Sequence, residues 1–150
     1  MTTTDSSVKH LTLVTGGTGK TGRRVAERLR ALGVPTRIGS RSADLPFDWN
    51  DQATWAPALN GVSSVYIVYY PDLAVPGAAE TIQAFVDRAV ERGVRRLVLL
   101  SGRGEEEAQR CEEIVQNAGV DWTVLRATWF SQNFSEGFMR DLVLGGTVAL

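Results

Sequence analysis

Residues 15–22 read TGGTGKTG. They stand between a short β-branched run at 10–15 (HLTLVT) and a segment that places Val25, Leu29 and Leu32 at helical spacing. Gly16, Gly19 and Gly22 fall three apart. In a strand–turn–helix context the first permits the tight turn, the second lets backbone approach a pyrophosphate with no Cβ in the way, and the third lets the helix pack closely on the sheet. The unsatisfied N–H groups and positive dipole end of the helix that begins near Lys20 then form a ready anion site. Gly19-Lys20-Thr21 also imitates the end of a P-loop, but that motif needs glycine where Val14 stands, and no strand ends in an acidic residue suited to magnesium. A glycine turn that holds no ligand is the plainer alternative. The alternating scaffold behind the turn weighs against it.

Gly33 and Pro35 end the first helix, and 36–39 forms a second strand. A short third strand fits at 45–48, then a brief helix at 51–59 broken by Pro57. The run 62–70 (VSSVYIVYY) reads as a buried strand, 76–92 as a helix with Ile82, Phe85, Val86, Ala89 and Val90 on one face, and 94–101 as a strand. A helix at 105–117, a strand at 120–126 and a helix over 131–143 complete the pattern. Strands alternating with helices predict a Rossmann-type α/β doubly wound parallel sheet of six strands, in the order 3-2-1-4-5-6.

The end of the second strand selects the dinucleotide. An NAD site carries Asp or Glu there to accept from the ribose 2′-hydroxyl, about 20 residues beyond the glycine turn. This chain has Ser40, Arg41 and Ser42 instead. A carboxylate would repel a 2′-phosphate, whereas a guanidinium flanked by hydroxyls can grip it, so the expected cofactor is NADP(H). A solvated loop arginine is the alternative for Arg41, and a surface lysine for Lys20.

At 150 residues, with 43% apolar and 22% charged residues, the material suffices for one core and one domain, 1–150. A net charge of −1 with mixed signs provides no sustained field for nucleic acid or a membrane surface. With no apolar run that spans a bilayer and no signal-peptide start, a cytoplasmic protein is expected. A single cysteine, Cys111, and a single histidine, His10, exclude an internal disulfide and argue against a metal site. Cys111 falls on an apolar helical stripe with Ala108, Ile114, Val115 and Ala118, which predicts a packing role; His10 is expected at the surface.

The glycine turn, Arg41, the strand end at Ser101 and the run 122–134 (WTVLRATWFSQNF) together resemble the NmrA-like family, atypical members of the short-chain dehydrogenase/reductase superfamily that include NAD(P)H:quinone oxidoreductase-like and triphenylmethane reductase-like enzymes. The resemblance implies that Gly16, Thr18, Gly19, Lys20, Thr21 and Gly22 hold the pyrophosphate. It further implies that Arg41, with Ser40 and Ser42, holds the adenosine ribose, and that Asp48 and Trp49 lie beside the adenine. Tyr69, Tyr70, Ser101, Gly102, Thr128, Trp129 and Phe130 then run beneath the rest of the cofactor. Members are usually longer and build much of the substrate pocket from a C-terminal part. With an apolar stretch begun at 147–150, a following substrate-binding portion is expected, along with self-association of the isolated piece through uncovered apolar surface.

The departures carry as much information. No lysine follows Lys20 and the helix at 105–117 has no tyrosine, so the tyrosine–lysine pair of conventional short-chain dehydrogenases cannot form. Arg110 is the only cation on that helix, and a surface ion pair with neighbouring glutamates is its expected role. Two functions fit. One is hydride transfer from NADPH to an electron-poor acceptor, a quinone or conjugated carbonyl, with Trp129, Phe130, Tyr69 or Tyr70 as stacking walls for an aromatic or conjugated substrate and Ser101 as a hydrogen-bond donor. The other is a non-catalytic regulator that senses the dinucleotide and acts by protein contact.

Overall fold

The computed structural model describes residues 10–128 and 130–146. Its centre is a five-stranded parallel sheet of β1 (Leu11–Thr15), β2 (Thr36–Gly39), β3 (Val62–Ile67), β4 (Arg96–Gly102) and β5 (Asp121–Ala127), in the order β2-β1-β3-β4-β5. The helices are α1 (Lys20–Ala31), α2 (Trp55–Leu59), α3 (Ala78–Glu91), α4 (Glu106–Gln116), α5 (Gln132–Ser135) and α6 (Phe138–Leu144), with a 3-10 turn at Gln52–Thr54 before α2. This is the expected doubly wound architecture with its third strand omitted.

The missing strand has a physical cause. Residues 45–48 make only an isolated bridge between Asp48 and Asp51. Their backbone groups are engaged elsewhere: the Phe47 N–H donates to the Ser40 carbonyl at 2.9 Å, and the Asp48 carbonyl accepts from the Trp55 indole N–H at 2.9 Å. Phe47 and Trp49 turn inward, where they meet Trp55 and Phe85 edge to face, with centroids 4.9 to 6.1 Å apart. Each such pair adds about 0.5–1.5 kcal/mol beyond the area it buries. Aromatic packing therefore organises this segment in place of a sheet ladder.

That cluster is one side of the core, continuous with Leu13, Val65, Ile67, Leu97 and Leu99 from the sheet and with Ile82, Val86 and Cys111 from α3 and α4. Cys111 is fully buried with Ala108 and Val115, and burial pushes its thiol up to about 11, in keeping with a packing role. On the opposite face Val14, Tyr66 and Ala26 pack with Val25 and Leu29 of α1. His10 is exposed, and Arg110 pairs with Glu107 at 3.1 Å on the surface of α4.

Two predicted boundaries shift for identifiable reasons. β3 stops at Ile67 because the next N–H, that of Val68, donates to the Thr15 hydroxyl at 2.8 Å. The predicted helix over 131–143 divides at Glu136 and Gly137, whose backbones leave the helical region. The strand expected at 147–150 lies outside the described residues.

Candidate functional site

Because all five strands are parallel, their carboxyl ends at Thr15, Gly39, Ile67, Gly102 and Ala127 lie along one edge of the sheet. The sequence-predicted residues follow these ends, so the fold brings the glycine turn, 40–42, 68–70, 101–102, Thr128 and Phe130 to that edge. In a doubly wound sheet this is where ligands bind.

The turn after β1 is built as its glycines require. Gly16 has φ +60, a conformation that L side chains rarely adopt, and its carbonyl accepts from the Gly19 N–H at 2.9 Å. Gly22 packs against the turn so closely that a Cβ there would overlap the Gly16 carbonyl oxygen and lie 2.7 Å from its carbon. A Cβ on Gly19 would meet only that same oxygen, at 3.2 Å. The space beyond Gly19, at the start of α1, is therefore open to a ligand, and the space at Gly22 is filled by protein. Lys20 and Thr18 are exposed beside it. This cradle fits a dinucleotide pyrophosphate.

The turn is braced from both neighbouring strands. Gly17 donates to the Gly39 carbonyl at 3.2 Å, and the buried Thr15 hydroxyl donates to the Tyr66 carbonyl at 3.1 Å while accepting from Val68. Gly17 was not singled out by the sequence, yet a Cβ there would lie 2.7 Å from Ile38 Cγ2. Tyr66 was also missed. Burial raises its phenol pKa, and the Thr21 hydroxyl on α1 counters part of that rise.

Beyond β2, Ser40 is buried and its hydroxyl lies 3.0 Å from that of Ser42, whose N–H also donates to Ser40 Oγ at 3.1 Å. These bonds shape the turn and leave Arg41 exposed, with no carboxylate paired to it among the described residues. Asp48 is half-buried and caps its own loop by accepting from the Asn50 N–H at 2.9 Å. Trp49 is 9% exposed, with its indole N–H donating to the Val68 carbonyl at 3.1 Å. Its ring belongs to the core cluster.

At the middle of the edge, Tyr69 leans on Trp49 with centroids 5.2 Å apart, while Tyr70 is 75% exposed. Ser101 is buried and donates to Glu112 Oε1 at 2.7 Å, so its proton is already engaged. Glu112, 2% exposed, is gripped in turn by Arg126 Nε and Nη2 at 3.0 and 2.7 Å from Oε2. The guanidinium, with help from Ser101, holds this carboxyl below the usual glutamate range despite burial. Gly102 abuts the Glu105 carboxylate, Thr128 is exposed and Phe130 is half-buried. Trp129 lies outside the described residues. The Ser101–Glu112–Arg126 chain escaped sequence reading because Glu112 sits in a run of glutamates that resembles a solvated helix face.

The chain is 33% identical over 165 residues to prestalk A differentiation protein A of Dictyostelium discoideum, an alignment covering 99% of this chain and 54% of that one. It is 35% identical over 138 residues to agroclavine dehydrogenase of Claviceps fusiformis, covering 82% and 48%. The chain thus spans about half the length of these relatives. Among known structures, the NADPH-dependent quinone oxidoreductase of Escherichia coli, complexed with NADPH, superposes with a TM-score of 0.69 at 22% identity, over 89% of this chain and 54% of that one. The model of a family described as NAD(P)H-binding matches residues 16–143, from the first glycine of the turn to the last helix, and the chain belongs to that NAD(P)H-binding Rossmann family.

Proposed function

We propose that this chain is the dinucleotide-binding part of an NADPH-dependent oxidoreductase that passes hydride to an electron-poor organic acceptor, such as a quinone or conjugated carbonyl. The observation that carries the reading is the pairing of an open glycine cradle with an exposed Arg41 at the end of β2, where an NAD site would hold a carboxylate. The nicotinamide, when bound, supplies the hydride. The chain's own residues do the rest. The N–H groups at the start of α1 and Lys20 receive the pyrophosphate, Arg41 receives the 2′-phosphate, and the end of β4 supports the nicotinamide half.

The acceptor class follows from the acid that is missing. Ser101 spends its hydrogen bond on Glu112, and α4 carries no tyrosine or lysine, so the described residues of this helix offer no tyrosine–lysine acid for a simple ketone. An acceptor whose developing charge is delocalised needs none. The quinone and agroclavine activities named for similar proteins point the same way. The same lack of that acid, together with the likeness to a differentiation protein over nearly the whole chain, favours a second reading: a regulator that binds dinucleotide without turnover.

NADPH oxidation followed at 340 nm against a panel of quinones and enones separates the two. The protein together with any further substrate-binding portion should oxidise NADPH faster than the uncatalysed rate with at least one acceptor. Saturable NADPH binding with background rates throughout would replace the enzyme by the regulator.

A further inference from the structure

One carboxylate stands against the cationic start of α1 and has no part in the site described above. Glu136, in the link between α5 and α6, bonds Arg24 Nη2 through Oε1 and pairs with Arg23 Nη2 at 3.5 Å through Oε2. Arg24 is itself fixed to the same turn, donating from Nη1 to the Lys20 carbonyl at 2.7 Å. A Cβ on Gly137 would lie 3.4 Å from Lys20 Nζ, so the link runs directly over that lysine. Arg24 first, then Arg23 and Lys20, hold the Glu136 carboxyl below its ordinary range. Two arginines of the first two turns of α1 thus share one anion, with Lys20 close by under the same link, and that anion belongs to the chain.

We propose that Glu136 is a built-in competitor of the dinucleotide phosphates. Its carboxylate neutralises the charge that would otherwise draw a phosphate to the start of α1, and it draws the link between α5 and α6 over Lys20. A pyrophosphate at Gly19 and Lys20 adds negative charge beside a carboxylate already seated there, so part of its attraction is cancelled and the link is loosened. Glu136 therefore weakens the hold on the cofactor, a useful property where the oxidised dinucleotide must leave after each turnover. The inference rests on placing the pyrophosphate at α1.

The test compares the wild-type chain with Glu136→Gln, which keeps the shape and removes the charge at an exposed position. Titration with NADPH should show Glu136→Gln binding about three- to tenfold tighter at low salt, the size expected of one partly exposed charge interaction. The gap should narrow as ionic strength rises, because exposed charges are screened. Inorganic pyrophosphate should show the same ordering. Hydrogen exchange of amides 132–144 should be faster in Glu136→Gln, and faster in wild type once NADPH is added. Equal or weaker NADPH binding by Glu136→Gln, with wild type still binding, would overturn the inference alone. Failure of both proteins to bind NADPH would remove the dinucleotide reading and this inference together.

Discussion

Arg126 holds Glu112 through two guanidinium nitrogens, yet the two residues differ sharply in exposure: the Glu112 side chain is 3% exposed and that of Arg126 57%. The asymmetry decides which substitution is worse. Removing Arg126 leaves a buried carboxylate with only Ser101, whereas removing the charge of Glu112 leaves a guanidinium free to turn to water. Glu112→Gln should cost about 1.5–3 kcal/mol, the range for a charge-assisted hydrogen bond. Arg126→Ala should destabilise the chain more, and urea unfolding of the two variants checks the order.

The same pair sets a pH dependence. The Glu112 carboxyl is lowered below its ordinary 4.5 in the folded chain, so its stabilisation is present at neutral pH and fades below 4.5 as the pH falls through the folded value. In Arg126→Ala burial has no opposing cation and should raise that carboxyl instead. The sign then inverts, and the stability lost at neutral pH is partly regained as Glu112 takes up a proton. Unfolding midpoints of the two proteins measured from pH 7 to pH 4 should converge. Parallel curves would mean that Glu112 titrates alike in both.

Gly19 and Gly22 should respond oppositely to an added methyl. At Gly22 it strikes the Gly16 carbonyl, and overpacking of this kind costs about 1–3 kcal/mol. At Gly19 the methyl would meet only the Gly16 carbonyl oxygen, at 3.2 Å, a contact relieved by a small shift, so Gly19→Ala should fold with little loss, and Gly19→Val should stay folded while losing NADPH binding. Calorimetric titration beside thermal unfolding distinguishes the two. Full affinity in Gly19→Val would place the dinucleotide elsewhere.

How far the sequence was legible depends on whether local pattern or long-range contact decided each element. β2 was read to the residue, and α1, α3 and α4 to within two at either end, because periodicity and helix stops are local. The run at 45–48 has strand composition, but the pull of Phe47 and Trp49 into the cluster around Phe85 is a contact across 36 or more residues that no local pattern shows. The place of Trp49 beside the adenine is what the resemblance implies, and in the structure its ring packs in the core cluster. The pairings of Glu112 and Glu136 were invisible because each is made with an arginine that only the fold brings near, Arg126 on β5 and Arg24 on α1. The shape of the glycine turn and the exposed place of Arg41 just past β2 were legible because both are set by adjacent residues.

The central claim is that this edge of the sheet binds NADP(H) in preference to NAD(H), through Arg41. The direct measurement is calorimetric titration of wild type and Arg41→Ala with both dinucleotides. Wild type should favour NADP(H), and Arg41→Ala should lose about ten- to a hundredfold in NADP(H) affinity, the equivalent of one charge-assisted contact, with NAD(H) affinity little changed. An unchanged ratio of the two dissociation constants in Arg41→Ala would contradict the account.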